Sequence, residues 1–413
     1  MHAAPHLRWW IAGLLFAASV INYIDRQTFA ALAPILKSEY HWTNTDFASI
    51  LIAFRISYTI MQSVGGRILD RLGTRRGLGL AVTFYSVVAM LTAFAQGLNG
   101  FRFFRFLLGA GEGPNFPAAT KAVSEWFSGK ERAWAVAMFD SGTSIGGAVA
   151  PFLALFAYRQ FHSWRPVFLL TGSLGLVWMA AWWRLYPVPS GRSDTAAAVR
   201  STTEYVGWTA LLRFRQTWGL VLGRFLLDPY WFLVSDWFAI YLLSNGYQLE
   251  QSILGYWVPF LAADLGNFFG GGLSSYWISR GWTVGAARRG VLLIFGPSML
   301  VLSAALFTKN YVSTVLLFGY ASFAYAACST MFLSLPADMF QARVVGSVSG
   351  LAGTGAGCGT LISTYWIGRI TDKYSFQPVV LAASLVPCLA TAAFVILVRR
   401  RRSDSDQTIF SDA

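Results

Sequence analysis

The chain has 413 residues, of which 55% are hydrophobic and only 12% are charged. Soluble domains carry about a quarter charged residues, so this composition offers too little polar surface for soluble domains. The net charge of +13 does not alter this conclusion. The composition disfavours a soluble enzyme, a disordered scaffold and a nucleic-acid-binding protein, and it predicts a polytopic membrane protein.

Long apolar runs follow one another along the chain. A helix needs about 20 apolar residues to cross a bilayer, and the runs are continuous rather than alternating as barrel strands are. We therefore predict an all-α membrane protein with twelve transmembrane helices. The predicted spans are 9–36, 46–68, 77–97, 100–127, 132–159, 164–187, 216–245, 250–279, 286–307, 310–340, 344–371 and 376–398.

The distribution of Lys and Arg predicts the orientation. With the N-terminus inside, the cytoplasmic connections hold nineteen of these residues and the outer connections hold five. Because positive charge accumulates on the cytoplasmic side, both termini are predicted to be cytoplasmic. We predict a six-helix bundle over 1–187, a cytoplasmic linker over 188–215, a second six-helix bundle over 216–400 and a tail over 401–413.

The two halves share landmarks. The stretch from Phe161 to Val167 opens the sixth span, and a similar stretch from Lys373 to Val379 opens the twelfth. Two related halves are typical of a transporter that rocks around a site at the midplane. A duplicated scaffold without transport function is the alternative.

Ionisable and polar residues recur at helical spacing inside the spans, where a charge costs at least about 2.5 kcal/mol unless it is paired or lines a cavity. The sets that share a helix face are Asn22 with Asp25 and Arg26, Arg55 with Tyr58 and Gln62, Arg105 with Glu112, and Asp140 with Thr143.

The first six spans balance three arginines against three carboxylates. Protonating one or two of these carboxylates would leave the set positive and attractive to an anion, which would couple protons to a carboxylate substrate. None of the four histidines lies deep in a span, so carboxylates would carry the protons. Interhelical salt bridges with no substrate role are the alternative.

One loop resembles the signature of the major facilitator superfamily. It reads Gly66-x-x-x-Asp70-Arg71-x-Gly73-x-Arg75-Arg76. The glycine allows two helices to approach closely. The acid and the arginines would hold the helices in one conformation across a cytoplasmic interface. The resemblance implies a conformational gate formed by Gly66, Asp70, Arg71 and Arg75, and the pseudo-symmetric major facilitator fold.

The fourth span resembles the anion–cation symporter branch of that superfamily, through Arg105-Phe-Leu-Leu-Gly109-Ala-Gly-Glu112-Gly-Pro-Asn115. Three further segments are similar to bacterial hexuronate transporters: Arg224-Phe-Leu-Leu-Asp228-Pro229, Ala263-Asp264-Leu-Gly266 and Asp338-Met-Phe340. The resemblance implies a proton-coupled importer of sugar acids in a bacterial inner membrane. The chain departs from close relatives at Tyr325-Ala326, where they often carry His-Gln, and at Asp140, where they carry Asn.

The resemblance also implies roles for individual residues. Asp25 and Glu112 are the predicted proton-coupling carboxylates, and Arg26 is predicted to bind the substrate carboxylate with its planar guanidinium. The complete predicted substrate set is Arg26, Tyr58, Gln62, Asn115, Thr143, Tyr230, Trp231 and Thr354. Four further residues, Arg55, Arg105, Asp140 and Asp264, are predicted to tune the charge of the site or to serve as reserve candidates. Asp140 is the reserve candidate for a proton-coupling carboxylate.

Other classes of membrane protein lack support. The sequence has no G-x-x-x-x-G-K-[ST] nucleotide loop and no His or Cys cluster, so neither a primary pump nor a membrane enzyme is expected. We expect no metal and no cofactor, since the proton gradient would drive transport. The expected partners are an anionic sugar acid, protons and the lipid bilayer, with no nucleic acid and a functional monomer. A symporter of an aldonate, an aldarate or another small organic anion, and an antiporter or efflux carrier on the same fold, are the alternatives.

Overall fold

The structure is a computed structural model that describes residues 5–187, 206–247 and 249–398. In these ranges the regular elements are helices, which confirms the all-α prediction. The first half contains α1 (Pro5–Tyr40), α2 (Asn44–Leu72), α3 (Thr74–Leu91), α4 (Gly97–Glu112), α5 (Asn115–Trp126), α6 (Gly129–Phe161) and α7 (Arg165–Leu185). The rest contains α8 (Trp208–Leu211), α9 (Arg215–Leu227), α10 (Pro229–Phe232), α11 (Phe238–Ser244), α12 (Leu249–Ser279), α13 (Val284–Ser298), α14 (Tyr311–Met339), α15 (Ala342–Lys373) and α16 (Gln377–Leu397).

Each of the twelve predicted spans falls on one of these helices or on a run of them. Seven described stretches are long and apolar enough to cross a membrane by length and composition: Leu7–Ala33, Thr74–Phe94, Gly129–Phe161, Arg165–Leu185, Val284–Leu306, Tyr311–Met339 and Gln377–Leu397. The other five predicted crossings, on α2, α4 with α5, α9 to α11, α12 and α15, are consistent with the helices and stay predictions.

Two predicted spans are interrupted at a proline. The fourth span breaks at Gly113–Pro114 between α4 and α5, and the seventh breaks at Asp228–Pro229 between α9 and α10. Proline interrupts a helix because it lacks a backbone N–H and its ring clashes with the preceding turn. The seventh span is irregular again at the π-helical turn Leu233–Trp237, a type of irregularity that is frequent at functional sites.

The described chain divides into two compact units. The first unit comprises residues 1–122, 142–214 and 342–350. In it, Gly109 of α4 packs directly against the carbonyl of Phe54 on α2, at a position where a Cβ atom would collide. Small residues allow such close backbone approach between helices in a membrane.

The second unit comprises residues 123–141, 215–341 and 351–413. Its helices α12 and α14 pack closely, and a Cβ on Gly270 would lie 2.7 Å from the Cα of Ala327. The units group segments by packing rather than along the sequence, so the predicted bundle boundaries at 187 and 216 stay predictions. Most of the predicted linker and the predicted tail lie outside the described residues.

Candidate functional site

The first polar centre lies in the first unit, where α1 meets α4. Nε and Nη2 of Arg26 donate to Oε2 of Glu112 at 3.2 and 2.8 Å, and Nη2 also donates to Oδ1 of Asn22 at 3.1 Å. The Glu112 side chain is completely buried, whereas that of Arg26 is 19% exposed. We call Arg26, Glu112 and Asn22 the Arg26 centre.

Three aromatic rings surround the guanidinium of Arg26. Its Cζ lies 4.7 Å from the ring centroid of Tyr23, 4.9 Å from that of Phe54 and 4.8 Å from that of Tyr58. Cation–π contacts stabilise a guanidinium that has lost water, so the cation is held in place by rings as well as by Glu112. Within the described ranges Nη1 of Arg26 has no hydrogen-bond partner, which leaves donors for an incoming carboxylate.

Arg105 supports this centre from within the protein. It is 3% exposed, and its guanidinium donates to the backbone carbonyl of Arg26 at 3.4 and 3.5 Å. The guanidinium also lies 4.1 Å from the ring centroid of Phe29. Arg105 interacts electrostatically with Glu112 and Asp25, an arrangement that suits the predicted tuning role.

Asp25 and Arg26 have different neighbours, although they are adjacent in sequence. Asp25 is buried, and the charged groups that act on it are Glu112 and Arg105. The helical spacing predicts one shared face for Asn22, Asp25 and Arg26, but the hydrogen bond joins only Asn22 and Arg26. Because 100° of helix rotation separates successive residues, Asp25 lies instead beside Thr171 of α7.

The remaining predicted polar residues of this half lie on three helices. Tyr58 and Arg55 of α2 are half-buried, and Gln62 of the same helix is buried. Asn115 is buried at the start of α5, directly after the Gly113–Pro114 break, and Thr143 is buried in α6. Tyr58 is the member of this group that directly contacts Arg26.

A second polar centre lies in the second unit, next to the Asp228–Pro229 break. Nε and Nη2 of Arg224 donate to Oδ2 of Asp228 at 3.1 and 2.6 Å. Asp140 interacts electrostatically with Arg224, Asp228 and Asp264, and the Asn267 side chain lies next to it. The structure therefore places Asp140 with Arg224 in the second unit, whereas the sequence assigned it to the charges of the first half. We call Arg224, Asp228, Asp140 and Asp264 the Arg224 centre.

Aromatic residues lie beside the Arg224 centre. Trp231 stacks on Tyr325 with ring centroids 5.8 Å apart and planes 9° from parallel. The ring centroids of Tyr230 and Tyr325 are 5.5 Å apart, and the Tyr230 hydroxyl is hydrogen-bonded to the Phe318 carbonyl and to Ser322. Tyr325 thus joins the two predicted stacking residues into one aromatic group. Thr354 is half-buried in α15.

The motif loop forms a third polar group, in the first unit. Oδ1 of Asp70 lies 2.5 Å from Nζ of Lys121, and the two Asp70 oxygens accept the backbone N–H groups of Gly346 and Ser347. Lys121 also donates to the carbonyl of Ala342 at 2.7 Å. Gly66 packs on the backbone of Gly346.

The cation partner of Asp70 is therefore Lys121, which the sequence analysis missed. Arg75 has another role, since it donates to the carbonyl of Trp183 at 2.6 Å, and Arg71 has an exposed side chain. A lysine among the small and apolar residues of the segment from Pro117 to Val123 was the available signal, because a buried ammonium needs a partner.

A buried acid in the second unit was also missed as a site. Asp338 accepts Nε of Arg288 at 2.9 Å on one oxygen and Nη1 of Arg132 at 3.1 Å on the other. Arg288 is fully buried and donates further to Ser274 and to the Gly129 carbonyl. The sequence analysis counted both arginines only as orientation charges.

Comparisons with known proteins agree with this architecture. The family model described as Major Facilitator Superfamily matches residues 15–364, and the chain belongs to that superfamily. It is 33% identical over 401 residues to the hexuronate transporter of Escherichia coli (strain K12), covering 92% of this chain and 91% of that protein. It is 34% identical over 334 residues to the galacturonate transporter of Dickeya chrysanthemi, covering 74% of this chain and 93% of that protein.

A solved structure shows the same fold. The proton:xylose symporter XylE superposes with a TM-score of 0.73 at 14% identity, covering 95% of this chain and 96% of that chain. This confirms the major facilitator fold predicted from the sequence. The protein is a multi-pass membrane transporter of this superfamily and not an enzyme.

Proposed function

We propose that the protein imports a hexuronate together with protons, by alternating access, across a bacterial inner membrane with both termini in the cytoplasm. The observation that carries the proposal is the Arg26 centre. Two nitrogens of its guanidinium, Nε and Nη2, donate to the buried carboxylate of Glu112, and Nη1 is left as a donor for a substrate. An arginine fork of this kind matches a substrate carboxylate in charge and geometry.

The same pair supports coupling to protons. While Glu112 is ionised, it neutralises Arg26 and competes with a substrate anion for the guanidinium. Protonation of Glu112 removes that competition and leaves a net positive centre, so proton binding and anion binding favour each other. Asp25 is the second coupling carboxylate in this proposal, because it is buried close enough to Glu112 for the two charges to interact.

The sugar part of the substrate is assigned to hydroxyl and aromatic groups. Tyr58 beside Arg26 offers a hydroxyl, and Trp231 with Tyr325 offers flat ring faces. Relatives that are named hexuronate and galacturonate transporters support this substrate class. The proton gradient is the proposed energy source, and the proposed carrier works as a monomer without a cofactor.

Vesicle transport tests the proposal. Purified protein in liposomes should concentrate labelled glucuronate when the outside is acidic, with the membrane potential clamped by potassium and valinomycin. Unlabelled galactonate and galactarate as competitors separate a hexuronate carrier from an aldonate or aldarate carrier. Concentrative uptake only when the inside is acidic would instead establish an antiporter and contradict symport.

A further inference from the structure

Asp25 is a buried acid without a hydrogen bond. It is 2% exposed, and neither of its carboxylate oxygens has a hydrogen-bond partner in the described part of the chain. The great majority of buried polar atoms in proteins are hydrogen-bonded, so each exception calls for a physical explanation. An ionised carboxylate in this position is unfavourable unless donors turn towards it.

Two hydroxyl groups from other helices lie around Asp25. Thr171 of α7 carries the hydroxyl next to its carboxylate, and the phenol of Tyr85 on α3 lies within electrostatic range of both Asp25 and Glu112. Both side chains are buried, and neither hydroxyl has a hydrogen-bond partner among the described residues. Two buried hydroxyls that donate to no described residue thus lie in the same polar region as the buried acid, with the Thr171 hydroxyl adjacent to it.

The nearby cations donate their hydrogen bonds elsewhere. Arg105 acts on Asp25 through space but donates to the Arg26 carbonyl, and Arg26 donates to Glu112 and Asn22. The charged groups that act on Asp25 are thus Arg105 and Glu112, while its possible direct donors are hydroxyls. A hydroxyl hydrogen rotates to suit its acceptor, so these donors can follow the charge state of the acid.

We propose that Tyr85 and Thr171 are the hydrogen-bond donors to ionised Asp25 and form with it a proton-binding pocket that sets the pH at which the carrier loads its proton. The inference rests on the proposed proton coupling through Asp25. Tyr85 has one O–H within electrostatic range of both carboxylates, so its dipole can stabilise a negative charge on one of them at a time. It thereby favours the state in which Asp25 and Glu112 share one negative charge.

The test compares Tyr85→Phe and Thr171→Val with the unmodified protein in liposomes. Two quantities are measured: the rate of substrate counterflow and the pH dependence of proton-driven uptake. Counterflow of labelled glucuronate needs no net proton movement and should stay within about twofold. The external pH at which proton-driven uptake is half-maximal should rise by about one unit in each variant, because the ionised acid has lost a donor. Thr171→Ser keeps the hydroxyl and should restore the original pH profile.

Matched controls separate this role from general packing. Tyr186→Phe and Thr92→Val change buried residues of the same unit. The ring centroid of Tyr186 lies 4.2 Å from that of Trp182, and the Thr92 hydroxyl donates to the Val88 carbonyl. Both controls should leave the pH profile in place. If Tyr85→Phe and Thr171→Val leave the pH profile of uptake unchanged while counterflow is intact, the proposed proton-binding pocket is wrong. A complete lack of response to a pH gradient in the unmodified protein would overturn the proposed symport instead.

Discussion

At the scale of single residues, two arginine–carboxylate pairs have the same geometry. Arg26 and Arg224 each donate through Nε and Nη2 to one oxygen of Glu112 and Asp228, respectively. The other oxygen of each acid is buried without a hydrogen bond from the described residues. A proton can therefore be added at the open oxygen while the arginine stays in position.

Replacing Arg26 should remove substrate binding. Arg26→Ala deletes the fork for the substrate carboxylate, and we expect a loss of about 10- to 100-fold in glucuronate affinity, since hydrogen bonds to charged groups contribute about 1.5–3 kcal/mol. Titration calorimetry in detergent measures this. Arg102→Ala is the control, because Arg102 donates to Ser49 and Asn99 instead.

The same substitution leaves Glu112 buried without its cation, which destabilises proteins by about 3–5 kcal/mol. The double variant Arg26→Gln with Glu112→Gln removes both charges and should fold while still failing to bind. Undiminished affinity in either variant would assign the substrate carboxylate to another group.

Neutralising a coupling acid should abolish the accumulation of substrate against a gradient but leave substrate exchange across the membrane intact. Glu112→Gln and Asp25→Asn keep the shape of each side chain but cannot titrate, so counterflow should persist while accumulation against a gradient falls to the background level. Liposome uptake with and without a pH gradient measures both. Glu131→Gln is the control, since Glu131 is half-buried at the start of α6 and accepts from Ser128. If both variants still accumulate substrate, Asp140 is the next acid to test.

The aromatic pair Trp231 and Tyr325 should determine selectivity. Tyr325→His with Ala326→Gln restores the pair that relatives often carry and removes a phenol that stacks on Trp231. We expect the ratio of glucuronate to galactonate affinity to change by up to about tenfold, since one neutral hydrogen bond contributes about 0.5–1.5 kcal/mol. Competition assays measure the ratio. Tyr320→His lies on the exposed face of the same helix and should leave it unchanged.

At the scale of elements, the ion pair of Asp70 and Lys121 occupies the start of α15. In a regular helix the N–H of Gly346 donates to the carbonyl of Ala342, four residues earlier. Here Asp70 also accepts that N–H, and Lys121 also donates to that carbonyl. The carboxylate of Asp70 thus contacts the backbone donor at this position, and the ammonium of Lys121 contacts the backbone acceptor.

Breaking this pair should destabilise the protein more than removing it. Lys121→Met leaves the Asp70 charge buried, and a broken buried pair costs about 3–5 kcal/mol. Asp70→Asn with Lys121→Met removes both charges and should regain part of that loss. Thermal unfolding in detergent gives the coupling energy through a double-mutant cycle. Equal losses in the single and double variants would contradict the pairing, and exposed Lys309→Met provides the control.

The helices themselves were predictable from the sequence, whereas their pairings were not. Long apolar runs located the helices of the described chain, and Pro114 and Pro229 mark where two of the predicted spans break. The spacing of Asn22 and Arg26 correctly placed them on one face, because helical periodicity is local. The partners Glu112 for Arg26, Lys121 for Asp70 and Arg224 for Asp140 depend on packing between helices, which periodicity does not encode.

At the scale of the whole molecule, the excess of Lys and Arg in alternate connections predicts the orientation. Green fluorescent protein fused after Ala413 should fluoresce, and alkaline phosphatase at the same position should be inactive, because both termini are predicted inside. Phosphatase fused in the predicted outer connection after His162 should be active. Phosphatase activity at the C-terminus would show that the orientation is the reverse of the predicted one.

The contact of Asp70 and Lys121 with α15 has a consequence for how such sequences diverge. Positions 70, 121 and 346 are far apart in sequence but form one physical unit, since Gly346 both donates to Asp70 and packs on Gly66. A homologue that replaces the acid is expected to replace the lysine too, and a side chain at 346 would exclude both arrangements. We therefore expect the acid of the loop motif, the lysine of α5 and the glycine of α15 to change together among homologues.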